Sequence, residues 1–595
     1  MTVLGLKIVS HDTGAALIHD GKIVAISEER LNRIKHSFNL FPHLSIDYCL
    51  NALNIAPEAV DLIVIDQVGL RSKVRMRELF LKEVGEKFGH AEIHVINHHD
   101  AHAASAFFCS PFDDAAVLVY DGAGEKFETH HGVFAVETET LYRGVGNTLH
   151  QIQKTTHVRE GKVFPFTFGI GKLYNFLSAT YLGFGSYNEG KMMGLAPYGD
   201  DTLLKQFPPE RWFVEKEGHI VCNSNIRYPR LRSVVEGITL VNFLPRLVRK
   251  VSHIALYPYR VLQARVRREN AVKIFDPIVL PKPARTKDVE LPDPYYSSVA
   301  FAGQKVLEQV AIRWGMKLKA ITGAANLCIA GGVGLNIDAN KSFIDTVGFS
   351  NIFIQPGASD AGVPLGCALY GYHVIAGKAR FYHMQSASLG RTYTDTEIQA
   401  ALEEVEDRVT VRKSGSVAKD TAKLLADKKI VGWFYGGSEY GPRALGHRSI
   451  ICDPRGPEMS KILNSRVKHR ELWRPFATSI LSNQVETYFD LAFDSPFMLL
   501  AAKAKPGVKE QVPAVIHVDN TSRIQSVTKE ANGRYFDLIE AFYEETGVPL
   551  ILNTSFNLGG DPIVETPQDA LATFLKTDFD YLVLEDYIIG KRQEK

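Results

Sequence analysis

The chain has 595 residues, a formal net charge of +1 and 45% hydrophobic residues. This length exceeds what one hydrophobic core supports and predicts about two to four domains. The near-neutral net charge argues against electrostatic attraction of the whole protein to nucleic acid or to a membrane surface. The six cysteines are scattered and form no CxxC pair, which predicts neither a disulfide framework nor a thiolate zinc site. The sequence shows no basic leader and no apolar run near the roughly 20 residues of a membrane span, so we expect a cytoplasmic protein.

Residues 3–30 predict three short strands joined by tight turns. The first strand ends in the segment His11-Asp12-Thr13-Gly14, and the second covers residues 15–19. The dipeptide that follows the second strand, Asp-Gly, is typical of a tight hairpin, so the third strand returns beside it at residues 23–26. Further predicted elements follow in the order helix, strand, helix at residues 45–53, 62–65 and 74–88.

A histidine-rich segment follows the next predicted strand, residues 93–96, and opens a helix of small residues at 103–108. His98 and His102 are four residues apart, so on a helix their imidazoles lie on one face and can share one metal ion. The alternative is a polar helix start whose histidines merely cap the strand. The next predicted strand ends in Asp121, and a carboxylate at the carboxyl end of a strand favours the metal site.

The order of strand, glycine turn and further strands recurs beyond the histidine-rich segment, with strands predicted at 132–136 and 141–142. Two such units indicate an internal duplication, as in actin, the sugar kinases and the chaperone ATPases, which hold ATP between two similar halves. Gly331 and Gly332 follow a buried strand and would let the backbone approach a nucleotide, although tight turns use the same pair. Asp360 supplies another carboxylate after a short strand, with an N-cap as its alternative role.

Residues 226–287 carry far more Arg and Lys than acidic residues. This composition predicts a solvated helical excursion or a subunit contact, with an anionic partner as the alternative. A second domain is predicted to begin after residue 389. Its first predicted elements are helices at 395–405 and 417–426 and a buried strand at 430–434.

The second domain contains a loop rich in Gly and Pro that carries Arg443 and Arg448, with more basic residues at positions 455, 468, 470 and 474. Guanidinium groups match the geometry of phosphate and carboxylate, so this clustering predicts an anion pocket rather than isolated surface charges. A later strand, residues 550–552, leads into the segment Asn-Thr-Ser-Phe-Asn, whose amide and hydroxyl groups suit a phosphate.

Motifs spread over nearly the whole chain resemble those of one enzyme family. They are HHDAHAASAF, VYDGAGE, NEGKMMGLAPYG, AGGVGLN, PGASDAG, SEYGPRALGHRSI, VKHRELWRPFA, HVDNTSRIQSV and PLILNTSFNLGGDPIVETPQDA. This combination is similar to that of the O-carbamoyltransferases of the cephamycin, nodulation and tobramycin type. The resemblance implies an α/β fold, with a duplicated βββαβα actin-like domain at 1–389, similar to the tRNA threonylcarbamoyl-transfer protein, and a YrdC-like domain at 390–595. The basic insert, about residues 226–294, falls outside the resemblance.

In that family the YrdC-like domain makes carbamoyl adenylate from carbamoyl phosphate and ATP, for which we expect Mg²⁺, and the actin-like domain passes the carbamoyl group to an acceptor hydroxyl. The resemblance implies Fe²⁺ or another first-row divalent ion, which a donor set of two imidazoles and two carboxylates suits. The implied metal ligands are His98, His102, Asp121 and Asp360. It also implies that His11 is the base for the acceptor hydroxyl, with a local hydrogen bond as its alternative role, and that Lys35 faces the same cleft.

The other implied site residues form two sets. The nucleotide would contact Gly122, Glu189, Lys191, Gly331, Gly332 and Asn336. Carbamoyl phosphate and the ATP phosphates would contact Arg443, Arg448, Lys468, Arg474, Arg523, Asn553, Ser555 and Asn557. The chain departs from the family at Gly334, where Ala is more frequent, and at His447, where Asn is more frequent and whose role stays open.

Two other classes of function remain as alternatives. One is a tRNA-modifying enzyme with threonylcarbamoyl chemistry, which a salt-dependent tRNA-binding assay would detect. The other is a non-catalytic nucleotide-binding module of the actin or chaperone kind, which would leave the arginine-rich second domain unexplained. For the acceptor, Lys and Ile usage argues against the antibiotic-producing actinomycetes. Among the other known branches of the family, we take the saxitoxin-pathway carbamoyltransferases as the hypothesis. We expect no nucleic-acid or membrane partner, and homodimer formation stays open.

Overall fold

The computed structural model describes residues 1–592 apart from residues 70–71, 129–133, 160–168, 207–209, 211–212, 217 and 223–291. The predicted basic insert therefore lies almost wholly outside the described residues. Within the described part of the chain, no helix is long and apolar enough to cross a membrane.

The first half of the N-terminal domain is a five-stranded sheet in the order β3-β2-β1-β4-β5. Its strands are β1 Thr2–Lys7, β2 Gly14–His19, β3 Lys22–Ser27, β4 Leu62–Gln67 and β5 Glu92–Asn97. Strand β1 is buried along its length and pairs antiparallel with β2 and parallel with β4. A Cβ at Gly5 would lie 2.1 Å from the carbonyl oxygen of Pro364, so glycine allows the helix Val363–Tyr370 to pack directly on β1.

The second half repeats this arrangement. In chain order its strands are β6 Asp114–Tyr120, β7 Lys126–Glu128, β8 Phe134–Val145, β9 Thr148–Arg159, the separate hairpin β10 Phe213–Lys216 and β11 His219–Cys222, then β12 Asn326–Ala330 and β13 Asn351–Ile354. Strand β6 pairs antiparallel with β8 and parallel with β12, as β1 pairs with β2 and β4. Strands β9 and β13 extend the sheet at either side. The predicted internal duplication is therefore present in the strand topology.

Helices cover both sheets of the N-terminal domain. Their bounds are Glu28–Asn32, His43–Leu53, Lys73–Val84, His98–Phe107, Ile170–Asn175, Glu189–Leu195, Thr202–Gln206, Pro294–Thr322, Ile337–Val347 and Val363–Tyr370. The helix expected at 103–108 begins earlier, at His98, because the side chain of Asn97 accepts hydrogen bonds from the N–H groups of His99 and Asp100 and caps it there. The two predicted metal-binding histidines consequently lie on one helix.

The C-terminal domain is built on a ten-stranded mixed sheet in the order β14-β23-β22-β15-β16-β21-β17-β20-β19-β18. Its strands are β14 Val409–Lys413, β15 Val431–Phe434, β16 Arg448–Cys452, β17 Ala477–Leu481, β18 Phe489–Asp490, β19 Leu500–Ala504, β20 Thr521–Val527, β21 Leu550–Ser555, β22 Tyr581–Leu584 and β23 Tyr587–Lys591. Its helices are Asp395–Glu403, Val417–Ala426, Met459–Ile462, Val485–Tyr488, Val508–Gln511, Gly533–Thr546 and Pro567–Leu575.

The C-terminal domain packs against the second half of the N-terminal domain. The helix Ile337–Val347 contacts β19, where the side chain of Asn340 donates to the carbonyl oxygen of Leu499 at 3.0 Å. The rings of Phe353 and Phe497 meet edge to face, with centroids 6.1 Å apart. The predicted fold class, a duplicated actin-like domain followed by a second α/β domain, is confirmed.

Candidate metal centre and anion pocket

Two histidines and two aspartates converge beside the carboxyl ends of β5 and β6. His98 and His102 lie one turn apart on a helix, and Nε2 of the first is 3.2 Å from Nε2 of the second. Asp360 follows β13, and its Oδ1 is 3.5 Å from His98 Nε2 and 3.7 Å from His102 Nε2. Asp121 follows β6, with Oδ2 at 3.9 Å from His98 Nε2. The structure thus brings the four predicted ligands together, with one ligand atom from each within 4.8 Å of the others.

The buried donor set fits a first-row divalent cation, since it combines two imidazole nitrogens with two carboxylate oxygens. Burial acts to lower the pKa of His98, but the carboxylates of Asp360 and Asp66 outweigh burial and raise that pKa to about 10. Burial and Asp360 act to raise the pKa of Asp121, yet the neighbouring imidazoles lower it to about 2. The carboxylates therefore favour positive charge at this centre, which a divalent ion would supply.

Two buried charges that no sequence motif marks hold these ligands. Asp66, in β4, accepts a hydrogen bond from Nδ1 of His98 at 2.9 Å, which turns Nε2 of that ring toward the centre. Lys7, the last residue of β1, has its Nζ 3.0 Å from Asp360 and 3.3 Å from Asp66. In the sequence each is a single charge near the end of an apolar strand, which gives little indication of its role.

His11 stands at the edge of the metal centre. Its Nε2 lies 3.5 Å from Oδ2 of Asp360, and its Nδ1 donates to Oδ2 of Asp12 at 3.0 Å. Burial acts to lower the pKa of His11, but the two aspartates raise it overall. Since the Asp12 hydrogen bond occupies Nδ1, the other ring nitrogen is the one that faces the centre.

Lys35 does not face this centre, which corrects the expectation that it shares a cleft with His11. Its Nζ donates to the backbone carbonyl of Asp561, in the C-terminal domain, at 3.3 Å. The next residue, His36, turns to the metal side instead, with its Nδ1 2.8 Å from Oδ1 of Asp12. Sequence adjacency alone does not show which of these two neighbours points toward the metal centre.

The predicted nucleotide loop touches the metal centre directly. The N–H group of Gly332 donates to Oδ1 of Asp121 at 3.0 Å. Gly331 has a φ of 91°, and a Cβ there would lie 2.4 Å from the carbonyl oxygen of Tyr120. Only glycine therefore lets this loop lie against the end of β6.

The other predicted nucleotide-binding residues have varied surroundings. A Cβ on Gly122 would meet no described atom within 4 Å, so the turn after β6 borders open space. The side chain of Asn336 caps the helix Ile337–Val347. Glu189 accepts a hydrogen bond from an asparagine of a preceding helix. Lys191 pairs with Glu471 at 2.9 Å and so joins the two domains, rather than lying on the glycine loop.

The C-terminal domain contains a cluster of buried and half-buried cations, which we call the anion pocket. It consists of Arg443, Lys468, Arg470, Arg474 and Arg523. Burial, with a further contribution from Arg474, lowers the pKa of Arg443 to about 10 and that of Arg470 to about 9. Nε of Arg443 and Nε of Arg523 are buried without a hydrogen-bond partner in the described part of the chain. The acid beside the cluster, Glu471, is already paired with a lysine.

Lys468 is fixed by the segment at the end of β21. Its Nζ donates to Oδ1 of Asn557 at 2.9 Å and lies 3.4 Å from Oγ of Ser555. Oγ of Ser555 in turn donates to Oδ1 of Asn557 at 2.7 Å. Three of the predicted phosphate ligands therefore contact one another, although Lys468 lies 87 residues from Ser555 in the sequence.

Arg448, a predicted phosphate ligand, is bound mainly by backbone carbonyl groups, although one of its Nη atoms has no hydrogen-bond partner in the described part of the chain. Its guanidinium is fully buried and donates to the carbonyl oxygens of Gly436 and His447 at 2.9 and 3.1 Å. It also lies 3.5 Å from the centroid of the Phe434 ring. Arg448 is the first residue of β16 and points into the core, whereas Arg443 lies in the preceding loop and reaches the pocket.

Asn553 and His447 also support this loop rather than the anion. Nδ2 of Asn553 donates to the carbonyl oxygen of Ala444 at 3.1 Å, which corrects its assignment as a phosphate ligand. Nδ1 of His447 donates to the carbonyl oxygen of Tyr435, and its Nε2 accepts from the side chain of Asn532 at 3.1 Å. The role that the sequence left open for His447 is therefore to anchor the loop that carries Arg443.

The metal centre and the anion pocket meet through the glycine loop. One end of this loop binds Asp121 through Gly332, as described above. The other end contributes the carbonyl oxygen of Leu335, which lies 3.5 Å from an Nη atom of Arg443. A nucleotide on this loop would therefore lie between the two sites.

The chain matches two protein-family models and several known proteins. The family model described as carbamoyltransferase C-terminus matches residues 422–591, and the model described as carbamoyltransferase N-terminus matches residues 2–91, 85–208 and 257–369. The last of these matches includes residues 257–294, so the expectation that the whole basic insert falls outside the family is wrong. The chain is 34% identical to the uncharacterized protein sll1178 of Synechocystis sp., over 99% of this chain and 96% of that protein. It is 33% identical to nodulation protein NolNO of Sinorhizobium fredii, over 98% of this chain and 79% of that protein.

The match to a solved structure, HypF of T. kodakarensis, covers 63% of this chain and 48% of the HypF chain. The sequence identity is 13% and the TM-score is 0.32. The assignment does not depend on that distant likeness, because the two family models together span most of both domains. The resemblance inferred from the sequence motifs is confirmed. The chain belongs to the carbamoyltransferase family and is a carbamoyltransferase.

Proposed function

We propose that the chain is an ATP-dependent O-carbamoyltransferase that works in two half-reactions. In the first, carbamoyl phosphate, ATP and water give carbamoyl adenylate, phosphate and pyrophosphate in the C-terminal domain, with Mg²⁺ accompanying ATP. In the second, an acceptor hydroxyl oxygen attacks the carbamoyl carbon in the N-terminal domain. The bond to AMP breaks, AMP leaves, and the hydroxyl proton passes to His11.

The anion pocket is the observation that supports the first half-reaction most strongly. Its cations lie beside one another, with Lys468 buried and the four arginines half-buried, and removal of such charges from water is costly unless a ligand of opposite charge is bound. Guanidinium groups match phosphate oxygens, so the free Nε groups of Arg443 and Arg523 are suited to the phosphates of ATP and carbamoyl phosphate. Lys468, held by Ser555 and Asn557, adds a point charge to the same site.

The metal centre and His11 support the second half-reaction. We propose that Fe²⁺, or another first-row divalent ion, is held by the four converging ligands described above. Such an ion would supply positive charge to the nucleotide phosphate and to the oxygen that develops negative charge. His11 is positioned as the base, because its Nδ1 is bound to Asp12 and its Nε2 faces the centre.

For the acceptor we propose a hydroxyl on a small natural product, with a saxitoxin-type alkaloid as the specific candidate. The rings of Phe38 and Tyr187 lie 5.9 and 4.8 Å from the ring of His11. Both rings are partly exposed, so they offer an aromatic surface beside the base. Aromatic faces of this kind bind cationic ligands through cation–π contacts, which suits a guanidinium-bearing alkaloid.

The proposal is tested by incubating the protein with ATP, carbamoyl phosphate, Mg²⁺ and Fe²⁺ and a panel of hydroxylated natural products. We expect one product to gain the mass of a carbamoyl group, with AMP and pyrophosphate formed in equal amounts. Formation of ADP in place of AMP, or carbamoylation that proceeds without ATP, would overturn the proposed route.

A further inference from the structure

The segment 33–37 contacts both sites described above. At its first end, Arg33 donates from Nη1 to the carbonyl oxygen of Ile563 at 2.6 Å and from Nη2 to that of Pro562 at 2.8 Å. Lys35 donates to the carbonyl oxygen of Asp561. Three consecutive carbonyl groups of the C-terminal domain are therefore bound by two side chains of the N-terminal domain.

Those carbonyl groups belong to the wall of the anion pocket. Nδ2 of Asn557 donates to the carbonyl oxygen of Asp561 at 2.6 Å, so Asp561 accepts from Asn557 and from Lys35 at once. The Oδ1 atom of the same Asn557 accepts from Lys468 of the pocket. A ligand that reorients Lys468 or Asn557 would therefore move the atoms that bind Lys35.

The second end of the segment is bound to the loop that carries His11. The N–H group of Asp12 donates to the carbonyl oxygen of His36 at 2.7 Å, and the His36 imidazole lies 2.8 Å from Oδ1 of Asp12. The other oxygen of Asp12 binds Nδ1 of His11. Asp12 thus joins the segment to the proposed base, with two hydrogen bonds to His36 and one to His11.

The backbone at this junction has unusual conformations. Residues with φ in the left-handed region, none of them glycine, are found on both partners: Arg33 at 58°, His36 at 62° and Ser37 at 37°, and Ser10 at 72° and Asp12 at 54°. Such conformations cost free energy and persist where surrounding contacts hold them. Here the contacts that hold them come from the C-terminal domain at one end and from Asp12 at the other.

We propose that Arg33, Lys35 and His36 are positioning residues that couple occupancy of the anion pocket to the placement of His11. The inference rests on the proposed function, because it takes the pocket as the anion site and His11 as the base. A bound anion would fix the position of residues 561–563 in the pocket wall. These residues bind the segment 33–37, and that segment in turn fixes the positions of Asp12 and His11. The base would then be in place when the first half-reaction has filled its site.

Hydrogen–deuterium exchange with pyrophosphate and Mg²⁺ as the probe tests this coupling, with calorimetry to measure the binding itself. In the wild type we expect pyrophosphate to slow exchange at residues 8–13 by at least about fivefold, the lower end of usual coupling strengths. In Arg33→Gln, pyrophosphate should still bind, but the slowing at residues 8–13 should be lost. Lys35→Gln, a change at an exposed position, should weaken the slowing in the same direction.

Arg412→Gln is the matched control, because Arg412 is an exposed C-terminal-domain arginine paired with Asp420 far along the chain from the segment. It should retain the wild-type response. Pyrophosphate binding without slower exchange at residues 8–13, or slowing that survives in both Arg33→Gln and Lys35→Gln, would overturn the coupling while leaving the pocket in place. Absence of pyrophosphate binding in the wild type would overturn the proposed pocket and the coupling with it.

Discussion

Nζ of Lys7 lies 3.0 Å from Oδ2 of Asp360, in a pair whose lysine is fully buried and whose aspartate is 6% exposed. Burial acts to lower the pKa of Lys7, but Asp360 and Asp66 outweigh it and raise that pKa. The lysine therefore stays charged and balances two carboxylates beside the metal centre. This ion pair joins β1 of the first half of the N-terminal domain to the proposed metal ligand that follows β13 of the second half.

Lys7→Met should lower the free energy of unfolding by about 3–5 kcal/mol, because it leaves two buried carboxylates without their cation. Urea unfolding in the presence of a chelator measures this effect without a contribution from bound metal. Lys22→Met, at the exposed start of β3, is the matched control and should change little. Equal stability of Lys7→Met and the wild type would show that these carboxylates do not depend on Lys7.

His102→Ala should lose the metal ion while the fold stays nearly intact, since the substitution removes one of four ligands and leaves the Lys7–Asp360 ion pair in place. Metal analysis of the purified variant, together with its circular dichroism spectrum, checks both parts. His94→Ala is the control, because His94 lies on the preceding strand and pairs with Glu92 away from the centre. A full complement of iron in His102→Ala would remove this residue from the ligand set.

Asp66→Asn should weaken metal affinity by about 10–100-fold, the usual effect of losing the partner that orients a ligand histidine. The amide can still contact Nδ1 of His98, but it does not supply the negative charge that favours the correct tautomer. Competition with a chromogenic chelator measures the affinity. Unchanged affinity would mean that the ring of His98 is oriented by its packing alone.

Local signals explain which parts of these sites could be predicted from the sequence. His98 and His102 were found because both lie on one helix, four residues apart, so their geometry depends on local structure alone. Lys7 and Asp66 were missed because their contact joins residues 59 positions apart, and no local pattern marks either side chain. The duplicated strands were predictable for the same local reason, since short apolar runs and glycine turns mark each one.

The two arginines of one motif show the limit of that reasoning. Arg443 and Arg448 are five residues apart and have the same chemistry, yet one faces the anion pocket and the other is enclosed by backbone carbonyls. The difference arises because β16 begins at Arg448 and pairs with its neighbours in one register. That register is set by the whole sheet, so the motif alone did not reveal it.

Arg448→Met and Arg443→Gln should therefore have opposite effects. Arg448→Met leaves several buried carbonyl groups unpaired and should lower the free energy of unfolding by about 3 kcal/mol or more. Arg443→Gln removes a cation from a cluster of like charges and should not lower stability, but it should weaken pyrophosphate binding by about 1.5–3 kcal/mol. Thermal unfolding and calorimetry on both variants provide the comparison. Loss of pyrophosphate binding in a fully stable Arg448→Met would restore Arg448 to the anion site.

His11→Asn should slow carbamoyl transfer to the acceptor by about 10²–10⁴-fold, because asparagine keeps a hydrogen bond to Asp12 but does not take a proton. The rate is measured with pre-formed carbamoyl adenylate, so that the first half-reaction does not contribute. His43→Asn serves as the control, since His43 is half exposed and pairs with Glu83 at the surface. Transfer at the wild-type rate would leave His11 with only its local hydrogen bond.

The most direct test of the two-site account is exchange of labelled pyrophosphate into ATP in the presence of carbamoyl phosphate. The wild type should catalyse this exchange only when carbamoyl phosphate is present. His11→Asn should retain the wild-type exchange rate, and Arg443→Gln should lose it, because the first half-reaction depends on the anion pocket and not on the base. Exchange without carbamoyl phosphate, no exchange by the wild type, or equal loss in His11→Asn and Arg443→Gln would contradict the account.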